Sequence, residues 1–325
     1  MLHPLRAAAR LIDEKIGWNR IGLALSLVII GTALFVLYRM LRGIDVAQVV
    51  VALKATDRSD VISAALFVAA GYFTLTFYDL FALRTIGANH VPYRIAALAG
   101  FTSYSVGHNV GATVFTGGAV RYRIYSAWGL TAFDVAKICF IAGLTFWLGN
   151  ATVLGLGIAY EPEAASAIDQ LPPWFNRIIA IAALCILAGY VAWVWAKPRV
   201  IGRAGWSVTL PGGPFTLLQI VIGIIDLACC ALAMYVLLPD APPIDFVRLA
   251  VVFVSATLLG FASHSPGGLG VFDAAMLVAL IEYDKEQLVA GLLLFRLLYY
   301  IVPFTLSLLI LGARELWLGV AAKNS

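Results

Sequence analysis

The sequence predicts an all-α polytopic membrane protein, built as an inverted repeat in which each half runs span, span, re-entrant hairpin, span. Three observations predict it. Hydrophobic residues make up 62% of the 325 positions and charged residues only 12%, with a mean hydropathy of +0.93, too little charge to cover a soluble surface. Six apolar stretches, about 21–41, 60–83, 134–160, 177–196, 214–239 and 287–311, each meet the roughly 20 residues needed to cross hydrocarbon. Two further apolar stretches, about 95–120 and 246–282, are broken by glycine and polar residues.

The loops set the expected topology. Segment 1–20 carries Arg6, Arg10, Lys15 and Arg20, which places the N-terminus inside. The run after it is too long for a signal peptide and has no A-x-A-like cleavage site, so it reads as the first span. Residues 45–54 read as an interfacial helix, although Arg42, Lys54 and Arg58 depart from the charge rule there. Loop 84–94 (Arg84, Arg94) and segment 121–137 (Arg121, Arg123, Lys137) read as internal. Segment 161–176 holds Glu161, Glu163 and Asp169 without Lys or Arg before 177, and reads as external. Loop 197–205 is basic and internal, loop 239–245 acidic and external, and the tail with Arg314 and Lys323 internal.

Both flanks of 95–120 then lie inside and both flanks of 246–282 outside, so neither stretch makes a net crossing. Each enters and returns as a re-entrant hairpin, one from each face. Irregular backbone at membrane depth is tolerated only where protein or a polar cavity covers it. The repeat follows from spacing. The first spans, at 21 and 177, share one offset with His108 and His264 in the two hairpins, and the remaining spans nearly share it. The expected division is a cytoplasmic segment 1–20, a first repeat 21–160, an external linker 161–176, a second repeat 177–313 and a cytoplasmic tail 314–325. Interrupted segments in matching places of inverted repeats are the architecture of secondary transporters.

The broken segments carry the candidate site. A helix from 271 to 282 is expected after Pro266-Gly267-Gly268-Leu269-Gly270, and another, 119–128, after Thr116-Gly117-Gly118. The first amides of such helices lack intrahelical partners and attract anions, phosphate above all. The opposing reading is that these glycines only allow tight helix packing. Arg121 and Arg123 follow the first turn, and a guanidinium suits phosphate; an ordinary positive-inside anchor explains them equally well.

Asp226 and Arg296 lie deep in spans, where an ionisable group is a functional candidate, though mutual pairing would neutralise both. Asp79, nearer a span end, is a weaker candidate. Asp273 falls in the first turn after the glycine loop, where a carboxylate suits the helix dipole. His108 and His264 flank the turns as titratable or purely structural groups. Asp284 and Gln287 form a plausible cap for the last span. Cys139, Cys185, Cys229 and Cys230 sit in apolar segments without metal-ligand spacing, so no metal and no cofactor are expected. No P-loop pattern occurs, and the short basic loops suit a membrane rather than nucleic acid.

The stretches "SPGGLGVFD" (265–273), "NVGATVFTGGAVRYRIYSAWGL" (109–130) and "FRLLYYIVPF" (295–304) resemble the membrane domain of bacterial lysylphosphatidylglycerol synthases, a domain that also occurs alone in a flippase-like family. The resemblance covers about 20–315. It implies movement of a phospholipid between leaflets of the bacterial cytoplasmic membrane, and it matches Arg121, Arg123, Gly267, Gly268, Gly270, Asp273 and Arg296 to motif positions. Asp273 stands where the family often has Glu, which keeps the charge but shortens its reach. The soluble acyltransferase domain of the full-length relatives is expected to be absent, so the chain is expected not to be an enzyme.

Together these readings give a transporter-like protein that holds a phospholipid or lipid-linked phosphate and moves its headgroup. The lipid contacts are expected from Gly117, Gly118, Arg121, Arg123, Gly267, Gly268 and Gly270. Two alternatives remain: a lipid-binding partner of a separate lipid-modifying enzyme, and an intramembrane enzyme using His108 or His264 with Asp273. The headgroup, the coupling ion and the oligomeric state are not legible.

Overall fold

The computed structural model describes residues 45–111, 113–203 and 206–323. The expected segment 1–20 and first span 21–41 lie outside the described residues. About 81% of the structure is helical. In chain order the elements are α1 Val46–Ala55, α2 Arg58–Thr85, α3 Tyr93–Val110, α4 Thr113–Tyr125, α5 Ala132–Tyr160, α6 Glu163–Asp169, α7 Pro173–Ala196, β1 Val200–Arg203, β2 Trp206–Thr209, α8 Gly213–Tyr235, α9 Phe246–Ala262, α10 Val271–Ala279, α11 Lys285–Arg296 and α12 Val302–Lys323.

Among the described residues, five helical segments are long and apolar enough to cross a membrane: α2, α5, α7, α8 and the run Lys285–Arg314 through α11 into α12. They coincide with the five expected spans that fall among the described residues. Each starts where local chemistry starts it. Asp57 accepts from the Ser59 N–H, Thr131 and Asp134 form a reciprocal capping box at α5, and Asp284 accepts from the Gln287 N–H at α11. Pro173 and Pro214 sit in the first turns of α7 and α8, where a missing N–H costs nothing.

The expectation of helix alone needs one correction. Loop 197–212 folds as a two-stranded antiparallel hairpin, with Val200 opposite Thr209 and Ile201 opposite Val208. β-Branched residues on both strands favour it, and Val208 is buried in a cluster with Leu83, Tyr125 and Ile138.

At the centre, α2 and α8 pack along each other and α5 packs on both, with α7 outside α5 and α8. The α5–α8 crossing is backbone against backbone. A Cβ built on Gly149 would lie 2.7 Å from the Gly223 Cα. Small residues let membrane helices approach this closely. Gly149→Leu is therefore expected to lower stability by about 2–3 kcal/mol, read as a lower melting temperature of the purified protein in detergent, with Gly143→Leu on the open side of α5 as control.

Both interrupted segments fold as helical hairpins: α3 packs on α4, and α9 on α10. The second turns where expected, through a 3-10 turn at Pro266–Gly268, with φ of +61° at Gly267 and Gly268 and +80° at Gly270. The first does not. Its turn is at Gly111 (φ +82°, ψ −179°), and α4 already begins at Thr113. Gly117 and Gly118 lie inside α4, so the expected helix start at 119 is corrected by six residues. Thr113 and Thr116 make the early turn possible, because their hydroxyls donate to the Gly107 and Gly111 carbonyls that the break releases.

Candidate functional site

The two hairpin tips meet. A Cβ on Gly111 would lie 3.3 Å from the His264 carbonyl oxygen and 3.4 Å from the Pro266 Cα. The last span adapts to this meeting. Residues Leu297–Ile301 form a π-helical turn, which frees carbonyls from the regular ladder. The Tyr72 hydroxyl donates to the Tyr299 carbonyl at 3.0 Å, and Asn109 Nδ2 donates to the Tyr300 carbonyl at 3.1 Å. Asn109 thus ties the first hairpin's tip to the last span.

Each hairpin is clamped to a full span by an arginine–aspartate pair. Arg121 of α4 donates from Nε to both oxygens of Asp79 on α2, at 3.1 and 3.0 Å, and from NH2 to Oδ1 at 2.7 Å. Tyr125 donates to Asp79 Oδ2 at 2.8 Å. The Arg121 and Asp79 side chains are 5% and 0% exposed. The guanidinium lies over the Tyr104 ring, 4.8 Å from its centroid, a favourable stacking for arginine.

In the second hairpin, Arg296 donates to both oxygens of Asp273 at 2.8 and 2.6 Å, and from NH1 to the Gly267 carbonyl at 3.1 Å. This pair is 12% and 16% exposed, so it is the more open of the two. Asp273 also accepts from the Gly270 N–H at 3.0 Å, which holds the first turn of α10.

Several expected roles change. Gly117 and Gly118 have helical backbone and do not form an anion-binding turn; Gly117 instead lets α4 approach α3, where a Cβ would lie 3.1 Å from the Ser103 carbonyl. Arg121 is occupied by Asp79, whereas Arg123 is exposed on α4. The amides of Gly268 and Leu269 bond within the loop to Ser265 and Pro266. Asp226 and Arg296 do not pair. Asp226 accepts instead from Thr74 at 3.2 Å and Tyr78 at 3.0 Å, is 5% exposed, and forms no ion pair among the described residues. His264 is exposed in left-handed backbone (φ 57°) with Nδ1 at 2.9 Å from the Ala262 carbonyl. His108 lies between the Tyr299 ring, on which it stacks, and the tilted Tyr104 ring, and its buried Nδ1 has no hydrogen-bond partner among the described residues.

The tyrosines were the part sequence reasoning missed. Tyr72, Tyr78, Tyr104 and Tyr125 are all buried, and they link the aspartates, His108 and the π-helical turn. A signal existed: Tyr72, Thr76 and Asp79 share one face of α2 at helical spacing, and a phenol deep in a span needs a polar partner.

No protein-family model matches the chain. It is 33% identical over 250 residues to the uncharacterized protein slr0712 of Synechocystis, covering 75% of this chain and 76% of that one. The chain belongs to the slr0712 family. The inner membrane protein YbhN of Escherichia coli is 29% identical over 277 residues, covering 82% of this chain and 84% of YbhN. Phosphatidylglycerol lysyltransferase of Staphylococcus aureus is 25% identical over 312 residues. That match takes in 90% of this chain but 34% of the lysyltransferase, in its N-terminal part. The slr0712 family member described here is thus a helical membrane protein with a lipid-related relative.

Proposed function

We propose that this protein binds the phosphate of a phospholipid, or of another lipid-linked headgroup, between the two hairpin tips and moves it from one leaflet of a bacterial inner membrane to the other. In this reading the hairpins are re-entrant and enter from opposite faces, the halves 21–160 and 177–313 form an inverted repeat, and both termini are cytoplasmic. The observation that carries it is the meeting of the two interrupted segments beside the partly exposed Arg296–Asp273 pair. The arginine fork that holds a carboxylate with two parallel bonds fits a phosphate equally well, so a lipid phosphate can displace Asp273 from Arg296. The likeness to a lysyltransferase whose name specifies phosphatidylglycerol supports a glycerophospholipid as guest. Among the described residues Asp226 has only hydroxyl donors, Thr74 and Tyr78, and it is the group proposed to carry charge across with the lipid.

Reconstitution tests this. Purified protein in vesicles with fluorescent phosphatidylglycerol is expected to equilibrate the probe between leaflets, and Arg296→Gln is expected to slow that by about tenfold, the loss of one charge-assisted contact. Folded protein that moves no lipid, while retaining phospholipid in native mass spectrometry, would replace transport with a lipid-binding partner role.

A further inference from the structure

An open apolar groove of about 710 Å³ runs along α4 and α5, from beside the first hairpin's tip toward the loop that joins the two helices. Val114, Phe115, Tyr122, Phe140 and Trp147 wall it, and each is exposed by more than a third. Its floor is glycine. A Cβ on Gly118 would meet nothing nearer than the Cys139 Sγ at 3.7 Å, and one on Gly143 would meet nothing within 4 Å. Two glycines in consecutive helices that face open space are not explained by helix packing, unlike Gly149 and Gly223. The space they leave, with aromatic walls, falls within the size of ligand clefts, about 300–1,000 Å³.

The groove also has a direction. Because α4 and α5 are antiparallel neighbours, Tyr122 lies at the same end as Ala132 and Ala136, and Val114 at the same end as Trp147. From Val114 to Tyr122 the helix rises about 12 Å. The Tyr122 end is flanked by Arg123 and Lys137. No charged residue lines the groove itself; Arg123 and Lys137 adjoin the lining residues Tyr122 and Ala136 in sequence, whereas no charged residue adjoins Val114 or Trp147. Apolar walls along its length and cations flanking one end match an acyl chain attached to a phosphate.

The geometry points to this groove as the seat of one acyl chain of a phospholipid, its phosphate at the Arg123–Lys137 end and its methyl end beside Val114 and Trp147. The inference rests on the proposed function only in taking a phospholipid as the ligand. It concerns the face of α4 and α5 rather than the Arg296–Asp273 pair, and gives the lipid an orientation.

The test uses the full chain in phosphatidylglycerol vesicles with two photoactivatable phosphatidylglycerols, one bearing its diazirine near the glycerol and one at the acyl terminus. Labelled positions are read by peptide mass spectrometry. The first probe is expected to label around Tyr122 and Ala136, the second around Val114 and Trp147. Gly143→Leu places a side chain in the open space and displaces two to three methylenes of the lipid, so groove labelling is expected to fall by about tenfold or more, while labelling of Ile186 on the outer face of α7 stays unchanged. Val114→Trp, at an exposed position, is a second filling variant with the same expected loss.

Labelling no denser in the groove than at Ile186, the reverse order of the two probes, or labelling that neither variant lowers would overturn the inference. Lipid movement measured in the same vesicles reads the transport proposal separately. Ordered groove labelling without movement supports the groove and removes transport.

Discussion

Asp79→Ala is expected to destabilise the protein by about 3–5 kcal/mol, because it leaves the Arg121 guanidinium buried with its carboxylate gone. The magnitude follows from geometry. Both side chains are essentially sealed, and Asp79 collects three bonds from Arg121 and one from Tyr125. Arg121 is the main attachment of α4 to α2 through a polar contact, so the loss falls on the seating of the first hairpin. Arg121→Ala is expected to cost a similar amount, since Asp79 would then be buried with only the Tyr125 hydroxyl. The double replacement Asp79→Leu with Arg121→Met is expected to recover much of the loss, because an apolar pair of similar volume leaves no charge to desolvate. Melting temperatures of the four proteins in one detergent check this. A double variant as unstable as either single one would show that the pair fixes the hairpin by shape rather than by charge.

The contrast between the two arginine–aspartate pairs gives that experiment a functional side. Arg296–Asp273 joins a hairpin to a span by the same bidentate chemistry, yet it stays partly exposed and its arginine also holds the Gly267 carbonyl. Breaking it is expected to cost less, because solvent or headgroups can reach the orphaned partner. Stability and lipid movement therefore separate between the pairs: the sealed one acts mainly on folding, the open one mainly on the proposed lipid contact.

The sequence made some of this legible and not the rest, for physical reasons. Long apolar runs read directly as helices because length alone decides whether a segment can cross hydrocarbon, and α2, α5, α7, α8 and α11–α12 follow the expected runs. The second turn was legible because proline and three glycines in five residues leave a helix no option. The first was misplaced because Gly117-Gly118 looks like stronger punctuation than the lone Gly111. A pair of glycines inside a helix serves close packing just as well, and only three-dimensional neighbours distinguish the two uses. The ion pairs were the least legible. Asp226 and Arg296 looked like partners because both are deep. Depth fixes one coordinate, whereas pairing needs a shared face, and Arg296 shares its face with Asp273, to which it bonds at 2.6 Å. The β-hairpin at 200–209 was hidden by the shortness of its strands.

Gly111→Val is the sharpest probe of the tip-to-tip contact, and it is expected to cost about 3 kcal/mol or more and to abolish lipid movement. Two separate effects add at this position. The backbone at φ +82° and ψ −179° lies in a region that is essentially reserved for glycine, where a side chain costs about 1–3 kcal/mol. A Cβ would also press on the other hairpin, 3.3 Å from the His264 carbonyl and 3.4 Å from Pro266, and the γ-methyl groups of valine reach further into the same backbone, which has no flexible end to yield. Gly87→Val is the comparison at a second glycine of positive φ (+82°) with nothing within 4 Å of its Cβ. It is expected to cost backbone strain without a clash and to leave lipid movement intact. Loss of lipid movement in both variants would mean that the contact between the tips is not what the movement needs. A larger loss at Gly111, together with failure to move lipid in a protein that still folds, would tie the proposed transport to the place where the two hairpins touch.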